Sequence, residues 1–153
     1  MTLLAKLQQD RITALKNKQQ QLKDSLTTLY AEAVRVGKDD RKTGPRESTD
    51  AEVIKVIKTT IENNSYTMDL LEDKVLMTAE DVQSIQDKTR ENEIFTKYLP
   101  KQLTNEDMVG IVDGLITNGV KTLPEIQKFF KTNHLGTYDG GALTVIIKGK
   151  VNV

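Results

Sequence analysis

Leu22, Leu26, Leu29, Ala33 and Val36 step through the chain by four, three, four and three residues. Only an α-helix, at about 3.6 residues per turn, brings such positions into one narrow stripe, and a stripe that narrow needs a second helix to cover it. The neighbouring sequence repeats the theme. Leu4, Leu7, Ile12 and Leu15 fall near one another on an earlier helix, while Val53, Val56, Ile57, Ile61, Met68, Leu71 and Val75 line a later one. Aromatics supply only 5% of the 153 residues, so the core has to come from Leu, Ile, Val and Met, and the abundant Lys, Glu and Gln favour helix over sheet.

Local signals place the breaks. Residues 37–48, GKDDRKTGPRES, hold two glycines, a proline and a run of charges, which reads as a loop. Thr49-Asp50-Ala51-Glu52 then forms a capping box, in which the hydroxyl takes a first-turn amide and the glutamate reaches back to the cap. A helix running from there to Met77 would be about 40 Å long at 1.5 Å per residue. Thr78-Ala79-Glu80-Asp81 offers a second box, followed by Val82, Ile85, Ile94, Phe95, Tyr98 and Leu99 with a polar gap between, so this helix is expected to pack at its two ends. Pro100 lacks an amide and disfavours helical geometry at Leu99, which ends the long-helix region.

Beyond Pro100 the elements shorten. Thr104 with Asp107 caps one helix, whose apolar face is Met108, Ile111, Val112, Leu115 and Ile116 and whose end is Asn118-Gly119. Thr122-Leu123-Pro124-Glu125 reads as a box opening a second, with Ile126, Phe129 and Phe130 as core. Asp139 can cap a third, containing Leu143, Ile146 and Ile147. The β-branched run 143–147 read alone suggests a strand, but no partner strand is evident, so it is read as helix. The expected fold is all-α: an elongated N-terminal long-helix arm, residues 1–99, followed by a small C-terminal three-helix domain, residues 100–153.

The chemistry-bearing inventory is sparse. The chain has no Cys, which removes disulfides, thiolate metal sites and thiol nucleophiles and is compatible with a reducing compartment. Neither a continuous apolar leader nor a run of about 18 apolar residues occurs, so a cytoplasmic protein with no membrane partner is expected. The single His134 reads as a solvent-facing residue beside a helix end. Asp39-Asp40, Glu72-Asp73, Glu80-Asp81 and Glu106-Asp107 read as loop or helix-end charges rather than metal ligands. Gly136–Gly141 is Gly-rich but lacks the preceding strand and the Gly-Lys-Thr ending of a phosphate loop. No catalytic, cofactor-binding or metal-binding residue is therefore assigned, and no cofactor.

Charge distribution says more than the zero net charge. Residues 1–58 carry 12 basic and 8 acidic groups, residues 59–113 carry 5 and 12, and residues 114–153 carry 5 and 2. The five cations of the last segment, Lys121, Lys128, Lys131, Lys148 and Lys150, are the candidate RNA-binding residues, because a structured RNA is gripped through shape and phosphates.

Tyr98-Leu99-Pro100-Lys101-Gln102-Leu103-Thr104 resembles the YLPxQLS/T signature of the GatB/YqeY family, which comprises YqeY-like proteins and the tail of the GatB chain of the tRNA-dependent amidotransferase. Leu3-Leu4 with Leu7, Asp10 and Ala14-Leu15-Lys16 is similar to that family's opening, Thr49–Val53 to its TDEEV-like helix start, and Gly136 with Asp139-Gly140 to its GxxDG turn. The resemblance implies a long helical N-terminal part and a small helical C-terminal domain. It also implies a non-catalytic, translation-associated accessory module that binds tRNA or another structured RNA through the C-terminal domain, with a protein partner in an amidotransferase-like complex. Two departures remove positive charge: Glu62-Asn63-Asn64 stands where the family carries a Lys/Arg cluster, and Thr137 where it has a basic residue. The alternative expectation is a protein-interaction scaffold, docking a partner or a second copy through the helical arm by the Leu22–Val36 stripe, or through the face carrying Phe129 or Phe130.

Overall fold

The computed structural model describes Met1–Val151; Asn152 and Val153, the last two residues of the expected C-terminal domain, lie outside the described residues. All regular structure among the described residues is helical: α1 Leu3–Lys16, α2 Gln20–Lys38, α3 Asp50–Glu72, α4 Ala79–Thr96, α5 Asn105–Thr117, α6 Leu123–Asn133 and α7 Gly140–Lys150. These helices form two compact units, Met1–Tyr98 and Leu99–Val153.

In the first unit α1 packs on α2, α3 on α4, and both α1 and α2 meet α3. Lys18, in the left-handed region at φ 56°, turns the chain between α1 and α2. Leu4, Leu7 and Ala14 of α1, Leu26, Leu29 and Ala33 of α2, Val53 and Ile57 of α3 and Phe95 of α4 are buried together. The stripe on α2 is thus consumed inside the unit. Its last member, however, is Gly37 and not Val36, which is exposed.

The reason is a close approach that no local pattern signals. The Ser48 hydroxyl accepts from the Gly37 amide and donates to the Ala33 carbonyl, and the Arg46 amide donates to Gly37 O at 3.1 Å, docking the loop onto the last turn of α2. A Cβ at Gly37 would lie 2.5 Å from Arg46 O and 2.7 Å from Ser48 N. Both are backbone atoms and cannot swing aside. Arg46 continues the clamp, donating to Asp40 Oδ2 at 2.9 Å and to both Glu52 oxygens at 2.7 and 3.1 Å. Glu52 at the same time closes the capping box on Thr49.

Three sequence expectations are corrected here. Ile12 and Leu15 are exposed, leaving Leu4, Leu7 and Ala14 as the packing face of α1. α3 ends at Glu72 and not at Met77, because Thr78 is committed to an extended cap for α4 and the chain must turn before reaching it. Only the Phe95 end of α4 is buried, whereas Val82 is exposed. The polar gap of α4 is itself bonded to its neighbours: Asp87 accepts from Gln21, Glu91 accepts from Ser25 and Asn64, and Asn92 accepts from Asn64 at 3.0 Å.

The second unit has a simple core. Met108 and Val112 of α5, Ile126 and Phe130 of α6, and Leu143 and Ile147 of α7 are buried, one pair per helix at a spacing of one turn. Full burial of each is worth about 2 kcal/mol. Val145, which a strand would aim the same way as Leu143 and Ile147, is 71% exposed, so the β-branched run is helical by packing. Gly119 at φ 92° ends α5, its amide donating to Ile116 O and that of Val120 to Leu115 O, which satisfies carbonyls the helix leaves open. The Thr104–Asp107 box and the Asp139 cap form as expected, but the Thr122 side chain makes no capping bond and α6 starts on Leu123-Pro124 without one.

Gly37→Ala is expected to destabilise the chain by about 1–3 kcal/mol, the cost of overpacking against immobile backbone, read as a lower urea midpoint. The Arg46 clamp also fixes an acid dependence. Hydrogen bonds from Thr43 and the Lys42 amide, then from Arg46, hold Asp40 at about 2, and Arg46 with the Thr49 amide holds Glu52 at about 2. Both carboxyls are depressed, so their stabilisation is present above the ordinary carboxylate range and is lost as pH falls from about 4 towards about 2. Thermal midpoints of the wild type and Arg46→Gln should converge across that window.

Candidate nucleic-acid interface

The candidate surface belongs to α6, α7 and the connection before α6. Ile126 and Phe130 turn one side of α6 into the core, which leaves Lys128 on the opposite side and Lys131 one turn further along the same exposed flank. Gln127 donates to Thr144 Oγ1 at 3.2 Å and marks where α6 and α7 meet. Lys148 stands one turn beyond Thr144 on that edge of α7, and Lys121 lies exposed in the α5–α6 connection. Among the described residues, none of these four ammonium groups has a carboxylate within ion-pair distance. Lys150 differs. Its Nζ lies 2.8 Å from Asp113 Oδ1 on α5, so it is the one member of the predicted set already neutralised.

The carboxylates of this unit are largely spent elsewhere. Residues 99–153 carry six Lys and five Asp or Glu. Asp107 is tied to the Thr104 amide and hydroxyl, which hold its carboxyl below the usual range, and Asp139 Oδ1 accepts from the Ala142 amide at 3.0 Å. With Asp113 on Lys150, only Glu106 and Glu125 are left outside caps and ion pairs, at the first turns of α5 and α6 where a helix dipole favours negative charge.

The first unit also exposes cations, Lys16, Lys18, Lys38 and Arg41 among them, but one of its cavities is acidic. A cavity of about 510 Å³ lined from α2, α3 and α4 includes Asp24, Glu32, Asp87 and Glu91 and neither Lys nor Arg. Asn64 lies in the segment where this chain departs from the Lys/Arg cluster that the resemblance implies. It is buried and donates to Glu91 and Asn92, so it holds α3 to α4 rather than facing solvent. Thr137, the other departure, donates its hydroxyl to His134 O at 2.6 Å and accepts the Leu103 amide on its carbonyl. His134 itself is half-buried, its ring centroid 5.4 Å from that of Phe130 and 5.8 Å from that of Phe129. Phe130 also meets Tyr138 edge-on, so these rings serve the core.

The stretch 98–103 is held at both ends. The Tyr98 hydroxyl donates to Asp10 Oδ2 at 2.6 Å, and Lys6 Nζ lies 5.5 Å from the ring centroid. Burial and then the neighbouring Asp10 carboxylate raise the phenol above its ordinary value. In the second unit Gln102 Nε2 donates to Gly136 O and to Pro100 O, both at 2.8 Å, while the Leu103 amide donates to Thr137 O. Each unit thus fastens its own end of the stretch to a distant part of itself, the first through Asp10 and the second through Gly136 and Thr137. Sequence reasoning missed these pairings, as it missed Ser48 and Asn64; each joins residues at least 11 apart.

Among the described residues no group of three or more His, Asp or Glu is placed to hold a metal ion, and no helix is long and apolar enough to cross a membrane. The model of a protein family described as Yqey-like protein matches residues 4–151, nearly the full length. No curated protein matches the chain.

Tyr98→Phe should cost roughly 1–2 kcal/mol at neutral pH, because it deletes a hydrogen bond to a charged acceptor. A raised folded-state value means that the wild type loses this advantage as pH climbs past about 10, where the unfolded tyrosine ionises first. The gap between the two proteins in denaturant unfolding should therefore narrow at alkaline pH.

Proposed function

The chain belongs to the YqeY-like family, and from that premise we propose that it is a non-catalytic accessory module that grips tRNA through the α6–α7 face of its C-terminal unit. The observation that carries this reading is the state of the lysines: Lys121, Lys128, Lys131 and Lys148 are exposed and have no carboxylate partner among the described residues, while Asp107 and Asp139 cap helices and Asp113 pairs with Lys150. Free ammonium groups on two helices and the connection before them suit phosphate contacts. Such contacts read the shape of a folded RNA rather than its bases. No exposed aromatic platform lies among them, since Phe129, Phe130 and Tyr138 are engaged in packing, so a base-stacking mode is not part of the proposal. A cytoplasmic, translation-associated setting, with a protein partner in an amidotransferase-like complex, belongs to the same reading.

Filter-binding titrations of the full chain against folded tRNA at two salt concentrations test it. Affinity should fall with salt, and the doubly reversed Lys128→Glu, Lys131→Glu protein should bind more weakly with a shallower salt slope, by about 0.7–0.9 for each phosphate no longer neutralised. Lys150→Gln, which removes a cation already paired with Asp113, should have the smaller effect. Absence of binding at low salt, or binding indifferent to salt, would rule the reading out.

A further inference from the structure

The connection between α3 and α4 breaks the usual chemistry of turns. Turns are built from Gly, Pro, Asn, Asp and Ser, whereas this one carries Val75, Leu76 and Met77 in succession. They are 99%, 83% and 42% exposed, and Leu70 and Val82 on the flanking helices are exposed as well. One exposed leucine would need no explanation; a run of three with apolar neighbours does.

The turn is also held firmly in shape. Lys74 Nζ lies 2.7 Å from Asp81 Oδ2, so the two sides of the turn are tied across its base. Asp81 accepts in addition from the Thr78 amide at 3.0 Å, while the Thr78 hydroxyl accepts from the Asp81 amide. The bonds on either side of the three side chains keep them projecting, which removes the ordering cost that a loose loop would bring to binding.

Charge selects the partner. Over residues 69–81 the acids Asp69, Glu72, Asp73, Glu80 and Asp81 outnumber the one cation, Lys74, which Asp81 already neutralises. An RNA phosphate backbone or an anionic lipid surface would be repelled here. A second copy presenting the same tip would be repelled too.

We propose that the α3–α4 tip is a protein-docking knob, Val75, Leu76 and Met77 inserting into an apolar pocket of a partner protein whose rim carries Lys or Arg to meet the surrounding carboxylates. The knob supplies the central desolvated anchor and the acids supply steering and orientation. The knob belongs to the first unit and the lysines of α6 and α7 to the second, so on these two proposals one chain offers basic residues to RNA and an acidic, apolar point to protein.

Replacing Leu76 in the full chain with a benzophenone amino acid and irradiating in a lysate of the source cells tests the proposal, with the same probe at exposed Glu62 on α3 as control. The expected result is one protein crosslinked from position 76 and not from 62, its crosslinked peptide rich in Lys or Arg beside apolar residues. That protein, once purified, should bind Leu76→Ser about tenfold or more weakly than wild type, lose affinity as salt rises, and bind the Lys128→Glu, Lys131→Glu protein normally. Circular dichroism should find Leu76→Ser folded. The proposal is overturned by the absence of any adduct, by equal adducts at the two positions, by adducts to RNA, lipid or a second copy, or by a partner that binds Leu76→Ser as tightly as wild type.

Discussion

A threonine hydroxyl accepting a first-turn amide decides where α1, α3, α4 and α5 begin, from Thr2, Thr49, Thr78 and Thr104. In a chain whose core is mostly small and aliphatic, helix ends carry much of the specification, because each start otherwise leaves amides without partners. The caps also act at a distance. Glu52 closes the Thr49 box and receives Arg46, which fastens the 37–48 loop on Gly37 and so sets where α3 leaves α2. Asp81 closes the Thr78 box and receives Lys74, which shapes the exposed tip. Two of the ion pairs that organise the first unit are therefore extensions of capping boxes.

That economy explains how a chain with no net charge comes to have polarised surfaces. Carboxylates are drawn to helix N-termini by the dipole and the orphan amides, and once there they are screened and bonded. Most lysines of α6 and α7 meet no such partner and remain in solvent; Lys150 is the exception because Asp113 on α5 reaches it. At the α3 end the process runs the other way. Asp69, Glu72 and Asp73 lie in or just past the last turn, where the dipole disfavours them, and their charge stays outward around an apolar turn.

Features fixed by near neighbours were legible in the sequence. The capping boxes at Thr49, Thr78 and Thr104, the stop at Pro100, the Gly119 terminus and the one-turn spacing of the second core all depend on residues within a few positions of one another. What could not be read depends on distant approach. Val36 and Gly37 are adjacent and equally plausible as the end of a stripe, and only the arrival of Ser48 and the Arg46 backbone selects the residue without a side chain. Asn64 belongs to no apolar stripe in the sequence and is buried because Glu91 and Asn92 come to meet it from α4. The candidate site was legible as a set of lysines, but the pairing that removes Lys150 from it needs α5 to lie beside α7.

The stretch that most specifically marks the family commits most of its polar groups internally, with Lys101 left exposed. The Tyr98 hydroxyl is given to Asp10, the Gln102 amide to two carbonyls, and the Leu103 amide to Thr137, while Pro100 has no amide to give. A ligand reaching these groups would have to displace bonds already made, at a cost of about 1–3 kcal/mol for each buried partner left unsatisfied. On the proposed function, recognition falls mainly to side chains outside this network. In the reading proposed above those are the unpaired lysines of α6 and α7 and the apolar residues at the α3–α4 turn, all of them exposed.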